Sequence, residues 1–278
     1  MIALLRTEFV KVAVRLRTLI IAALLIGLPT LIVVAVHSRG NRPERDAGEG
    51  LFRLARQSGL LIPAAVLTAT SAFLLVVIAG TFAGDSVASD AAWGNLRYVL
   101  MRPVRRGRLL VAKACVAGLM IWICTFLVAA AALVAGLALF GSHPVTVPQF
   151  AATFGFRTFT LTTTMLFERL LFATAYVAFG FTALLALGTL FTTLTDTPAG
   201  AIGATIGTYI VSEILDGITQ LGTIRYALPT HYQNAWETMF TENRFAHDMV
   251  VGVIVQLAYL VVAGGAALWW FARKDIRS

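Results

Sequence analysis

The run from Leu109 to Phe140 contains one charged residue, Lys113, and is longer than a bilayer is thick. A helix needs about 20 residues to cross the hydrocarbon core, so this stretch either tilts or begins in the headgroup layer around Lys113. Composition agrees with a lipid environment. Hydrophobic residues make up 58% of the chain and charged residues 13%, against about 45–50% and 25% in soluble domains. The expected fold class is therefore an all-α integral membrane protein forming a single membrane domain with six transmembrane helices.

In chain order, Ala3 to Arg17 is expected to form an amphipathic interface helix. Leu5, Phe9, Val12 and Leu16 recur at helical spacing, and Glu8, Lys11 and Arg15 line a neighbouring stripe. Such a helix lies along the membrane surface and leads into the bilayer. The first span is Thr18 to Val36, with a kink expected at Pro29. It begins after Arg17 and is long enough to cross, so no cleavable signal peptide is expected. His37 to Gln57 is a polar loop with a short surface helix near Leu51 to Arg56. The second span is Gly59 to Ala83, where Thr68, Thr70 and Ser71 can bond back to their own helix. The third is Leu109 to Phe140, and a loop from Gly141 to Thr158 follows. The fourth, Leu170 to Leu194, comes after a polar run from Thr160 to Glu168. Asp196 or Thr197 is expected to cap the fifth, Ala199 to Leu215, with Pro198 at its first position. Gly203 and Gly207 form a GxxxG pair suited to close helix contact. Asp216 to Asp248 is too polar to span but carries Tyr226, Tyr232, Trp236 and Phe240, aromatics of the interfacial kind, before a sixth span from Met249 to Phe271.

The longest polar interruption, Gly84 to Lys113, holds Arg97, Arg102, Arg105, Arg106, Arg108 and Lys113. With the leader and the carboxyl-terminal segment it places more than half of the 22 basic residues on one side. The bias of lysine and arginine toward the cytoplasm then puts both termini inside. The same distribution argues against nucleic acid as a partner despite the net charge of +8. No GxxxxGK[ST] is present, so the chain is not expected to bind ATP in the P-loop manner. His37, His143, His231 and His247 lie scattered in loops without metal-ligand spacing, and neither a metal nor another cofactor is expected on this chain. Cys115 and Cys124 are too far apart on one helix to bridge. Of the charges near the spans, Glu168, Arg169 and Glu213 can all reach the interface; Glu213 is the candidate for a pathway, because no basic residue follows it before Arg225.

The order of amphipathic leader, six spans and an intervening SDAAWGNLRYVLMRPVRRGRLLVAK resembles the permease subunit of ABC type 2 exporters. In that pattern an acid, a Gly-Thr, an apolar turn, a basic residue with Pro, Arg-Gly-Arg and a Lys follow one another. Asp90, Gly94-Asn95, Leu96 to Met101, Arg102-Pro103, Arg106-Gly107-Arg108 and Lys113 hold those places, with Asp for Glu and Asn for Thr. The ending Phe271-Ala272-Arg273-Lys274-Asp275-Ile276 is also similar. The resemblance implies a cytosolic coupling helix between the second and third spans, with Asp90, Trp93, Gly94, Asn95, Leu96, Arg97, Tyr98, Met101, Arg102, Pro103 and Arg106 docking on a separate ABC ATPase. It further implies two ATPase copies holding ATP and Mg, a second permease chain, short extracellular or re-entrant helices before the last span, an amphiphilic, lipid-like or drug-like substrate, and the plasma (inner) membrane of a bacterium. Two readings from other classes stand beside it. An ion-coupled secondary transporter would use Glu168 or Glu213 and run on a proton gradient alone, and a non-transporting scaffold or sensor would show no substrate-stimulated ATP turnover.

Overall fold

Backbone polar groups in lipid have no water to bond, and this chain satisfies them with helices. The structure, a computed structural model, describes residues 1–38, 58–92, 106–150, 156–241 and 247–274. Helix α1 spans Ile2–Ala13, and after a bend at Val14 and Arg15 helix α2 runs Leu16–Ser38. The leader is therefore shorter than the expected Ala3 to Arg17. Leu16, assigned to its apolar stripe, opens α2 instead and is 73% exposed. Leu5, Phe9 and Val12 of that stripe pack against the protein core. Helix α2 continues through Pro29, and the Thr30 hydroxyl donates to the carbonyls of Ile26 and Gly27 one turn back.

The second expected span is broken. Helices α3 (Ile62–Ser71) and α4 (Leu74–Ala92) meet at 55°. No proline or glycine marks the break. The hydroxyls of Thr68, Thr70 and Ser71 bond the carbonyls of Ala64, Val66 and Thr68, competition that loosens a helix at its end. Helix α5, Arg106–Phe140, has 35 residues and is about 52 Å long at 1.5 Å per residue. It packs against α1, α2, α3 and α4 and is the central post of the fold. Gly141, with φ of +70°, ends it in the left-handed conformation that favours glycine, and its carbonyl accepts from Gly59 N at 2.9 Å.

The segment expected as a loop after α5 contains an antiparallel hairpin, β1 (Val145–Phe150) with β2 (Phe156–Leu161), in register from Val145 opposite Leu161 to Phe150 opposite Phe156. Pro148 lies inside β1; a two-stranded sheet has only edges, where the missing N–H of proline can be tolerated. Helix α6 (Thr163–Gly180), capped by the Thr162 hydroxyl accepting from Met165 N at 3.4 Å, continues as α7 (Thr182–Leu194). Helix α8, Pro198–Gly217, starts with Pro198 in its first turn as expected, but Thr197 makes no side-chain cap. Asp196 turns to Lys274 instead. Two short 3₁₀ turns, Thr219–Ala227 and Ala235–Glu237, and the single turn α9, Thr238–Thr241, precede α10, His247–Arg273.

Among the described residues five helical stretches are long and apolar enough to cross a membrane, with α6 and α7 counted as one, and six if the bent α3–α4 pair is a single span. The fold is that of a helical, multi-pass membrane protein, the hairpin being a local departure. Close packing between helices rests on glycine. A Cβ at Gly84 of α4 would lie 2.7 Å from Ile202 N of α8, and one at Gly188 of α7 would lie 2.6 Å from Ala83 Cβ.

Candidate functional site

Polar side chains collect at the two ends of the bundle. At one end, Glu8 and Lys11 stand three residues apart on α1 and so share a face. Arg15 and Arg17 flank the start of α2, Asp85 and Asp90 sit on α4, and Lys113 lies two turns into α5. The Lys113 ammonium donates to Asp90 Oδ2 at 2.6 Å and to Glu8 Oε2 at 3.0 Å. Lys11 takes the other Asp90 oxygen at 2.7 Å. The Lys113 side chain is 4% exposed and that of Asp90 3%, so these are charge-assisted bonds withdrawn from water. Arg15 reaches Asp85 Oδ2 at 3.0 Å, and Arg17 bonds the same oxygen.

The knot closes the base of the basic loop. Asp90 stands near the end of α4 and Lys113 near the start of α5, the two stalks between which the loop runs. Asp90, expected to face a partner, turns its carboxylate inward. Trp93, Gly94, Asn95, Leu96, Arg97, Tyr98, Met101, Arg102 and Pro103 lie outside the described residues, as does the surface helix expected near Leu51 to Arg56. Arg106 is exposed and donates to the Lys274 carbonyl at 2.9 Å. Lys274 in turn holds Asp196 at 2.6 Å and the Thr193 carbonyl at 3.0 Å. Val87, Leu110, Ala267 and Phe271 form a small apolar cluster behind this clasp. Leader, loop stalks, the α7–α8 turn and the end of α10 thus meet at one end.

At the opposite end the segment between α8 and α10 is tied down as a cap. Ser212 and Thr230 share a buried hydrogen bond of 2.7 Å, and the Tyr176 hydroxyl donates to the Tyr232 carbonyl at 2.8 Å. Asp216 pairs with His231 and with Arg225. Trp236 is fully buried and meets Phe240 edge-on. Gln256 joins three elements: its oxygen accepts from Ala183 N at 2.7 Å and its nitrogen donates to the Pro229 carbonyl at 2.8 Å. Gln256→Leu leaves a buried donor and a buried acceptor without partners and is expected to cost about 2 kcal/mol. A lowered melting temperature in detergent checks it, and unchanged melting would show that neither bond matters.

Of the charges singled out near the spans, Glu168 is exposed and Arg169 donates to the Met239 carbonyl. Glu213 is exposed on α8, one turn after the buried Tyr209. Gly203 and Gly207 meet nothing within 4 Å of where a Cβ would stand, so the GxxxG face is turned away from the protomer. Cys115 and Cys124 are both free thiols. Among the described residues there is no cluster of three potential metal ligands. Sequence reasoning paired neither Glu8 nor Asp85 and treated Lys113 as one basic residue of a stretch. A single lysine in an apolar run was the available signal, because a buried charge needs a partner.

The described residues thus form a multi-pass helical bundle whose ion pairs gather at one end, where α4 and α5 flank residues 93–105. The family described as ABC-2 family transporter protein matches residues 2–276, and the chain belongs to that family. It is a membrane component of an ABC transporter and not itself catalytic; permeases of this family generally work with an ABC ATPase. No curated protein matches the chain.

Proposed function

We propose that the chain is the permease subunit of an exporter that moves an amphiphilic, lipid-like or drug-like substrate outward, powered by ATP, with Mg, on two copies of a separate ATPase. The protein lies in the plasma membrane of a bacterium with both termini in the cytoplasm. The coupling helix, expected near Asp90 to Met101 and followed by Arg102-Pro103, docks on the ATPase. One observation carries this reading: Lys113 binds Asp90 and Glu8, so α4, α5 and α1 are joined at the base of the loop. A push on the loop is therefore delivered to three helices as a rigid body. Asp90 then serves as the inward anchor of the docking segment and Arg106 as its tie to the chain end.

A second permease chain, identical or related, pairs through α8. Gly203, Gly207, Ile210 and Ile214 lie along one stripe, the glycines open and the isoleucines exposed. Small residues of this kind let two backbones approach closely in lipid. Glu213 stands beside that stripe, where a pathway between two protomers would run.

Exchange of the Arg102-Pro103 pair for Ala-Gly (R102A with P103G) is expected to abolish co-purification of the cognate ATPase while leaving the permease folded. Undiminished co-purification with that variant and with residues 93–101 deleted would show that docking lies elsewhere.

A further inference from the structure

The ion pairs at the loop base divide into two unequal halves. In one, Lys11 and Lys113 face Glu8 and Asp90, two cations against two anions. In the other, Arg15 and Arg17 converge on a single oxygen of Asp85. Two guanidinium groups against one carboxylate leave an unbalanced positive charge. Arg17 Nε is enclosed as well, with no hydrogen-bond partner among the described residues. A buried donor left unpaired is costly, and a charged one more so.

Both arginines line a crevice between α1, α4 and α5, with Phe82, Val116 and Ala117 beside Ser86, Ser89 and Lys113 on the other wall. The arginines stand at the start of the apolar helix α2, where a span enters the headgroup layer. Val14 and Leu16, each 73% exposed, flank Arg15 and point apolar surface away from the protein. The crevice is small, about 20 Å³, and we infer that the phosphate of an anionic phospholipid sits at its open mouth, with the guanidinium groups of Arg15 and Arg17 on the phosphate and the acyl chains along Val14 and Leu16. Guanidinium suits phosphate because its planar fork presents paired donors, and it is more weakly hydrated than ammonium. The carboxylates of Glu8 and Asp85 also line the crevice. Both are already held by Lys113 and by the arginines, so they orient the cations without cancelling the excess. The lipid pins the bend between α1 and α2, the joint by which the leader enters the membrane.

The experiment uses the full-length chain without any ATPase, so its outcome is independent of the transport reading. Purified protein is delipidated, and retention of phosphatidylglycerol against phosphatidylcholine is followed by native mass spectrometry, with melting temperatures measured in nanodiscs of either lipid. Wild type is expected to retain phosphatidylglycerol selectively and to melt higher in it. Arg17→Gln is expected to lower phosphatidylglycerol affinity by about tenfold or more, the effect of one hydrogen bond to a charged group. Arg17→Lys keeps the charge and is expected to fall between wild type and Arg17→Gln, and it carries the test should Arg17→Gln misfold. Arg6→Gln removes an exposed leader charge outside the crevice and is expected to cost about fivefold at most, the weight of one surface charge near an anionic leaflet. Equal losses for Arg17→Gln and Arg6→Gln would overturn the site in favour of general surface attraction. Displacement of the lipid by millimolar inorganic phosphate would overturn the lipid assignment in favour of a soluble anion.

Discussion

Lys113→Ala is expected to destabilise the protein by about 3–5 kcal/mol, the usual cost of removing one partner from a buried ionic group. The size follows from what is stranded. Lys113 is the shared partner of Glu8 and Asp90, and without it one carboxylate keeps only Lys11 and the other loses its ion pair. The effect is on stability first and on coupling second, since α1 would no longer be fixed to the loop stalks. Intrinsic tryptophan fluorescence during heating measures the first. Mobility of a spin label on α1 measures the second. A control separates lost charge from lost packing: Lys113→Met together with Glu8→Gln and Asp90→Asn removes three of the four charges at nearly constant volume and leaves the partly exposed Lys11 to water. Replacing a buried ion group by neutral residues is often neutral or stabilising, so the triple variant should recover most of the loss. A Lys113→Ala protein that melts like wild type would mean that the knot does not hold the leader.

Gly84→Leu is expected to cost more than about 3 kcal/mol, at the upper end of overpacking effects. The contact that a side chain would meet is backbone: Ile202 N at 2.7 Å and Ile202 Cα at 2.8 Å from the Cβ position. Neither can rotate aside, so α4 and α8 must separate. Even alanine should be destabilising here, against its advantage of about 1 kcal/mol over glycine within a helix. Gly203→Ala on the open side of α8 should leave protomer melting unchanged or raise it slightly. Paired melts of the two alanine variants check this contrast, and equal behaviour would show that α4 and α8 are not in backbone contact.

The elements that repeat in sequence were legible as such. Apolar runs reveal helices, and the leader stripe of Leu5, Phe9 and Val12 anticipated a packed face, although it meets protein where lipid was expected. The polar centre was not legible, because its partners are remote in the chain. Lys11 reaches Asp90 across 79 positions and Lys113 reaches Glu8 across 105, and no periodicity connects such residues. The break after Ser71 lacks the proline or glycine by which breaks are read, and hydroxyl bonds to the helix's own carbonyls accompany it instead. The hairpin escaped notice because Pro148 interrupts its first strand, and proline demotes a run that otherwise reads as β. The cap was visible as aromatic and amphipathic, but that Trp236 is its buried centre follows only from tertiary packing.

Helix α2 touches the bundle through Leu25, Pro29 and Val33, one position per turn, with Ile21 and Ile32 packed beside them, while Leu19, Ile20, Leu24, Leu31 and Val34 are exposed. Natural variation in this helix should therefore have two regimes. Positions on the stripe should be intolerant of any change of volume. The lipid-facing ones need only remain apolar and can drift freely among leucine, isoleucine, valine and phenylalanine. Homologues aligned over α2 should show constraint that returns every fourth residue, a rhythm absent from the uniformly greasy composition of the helix itself.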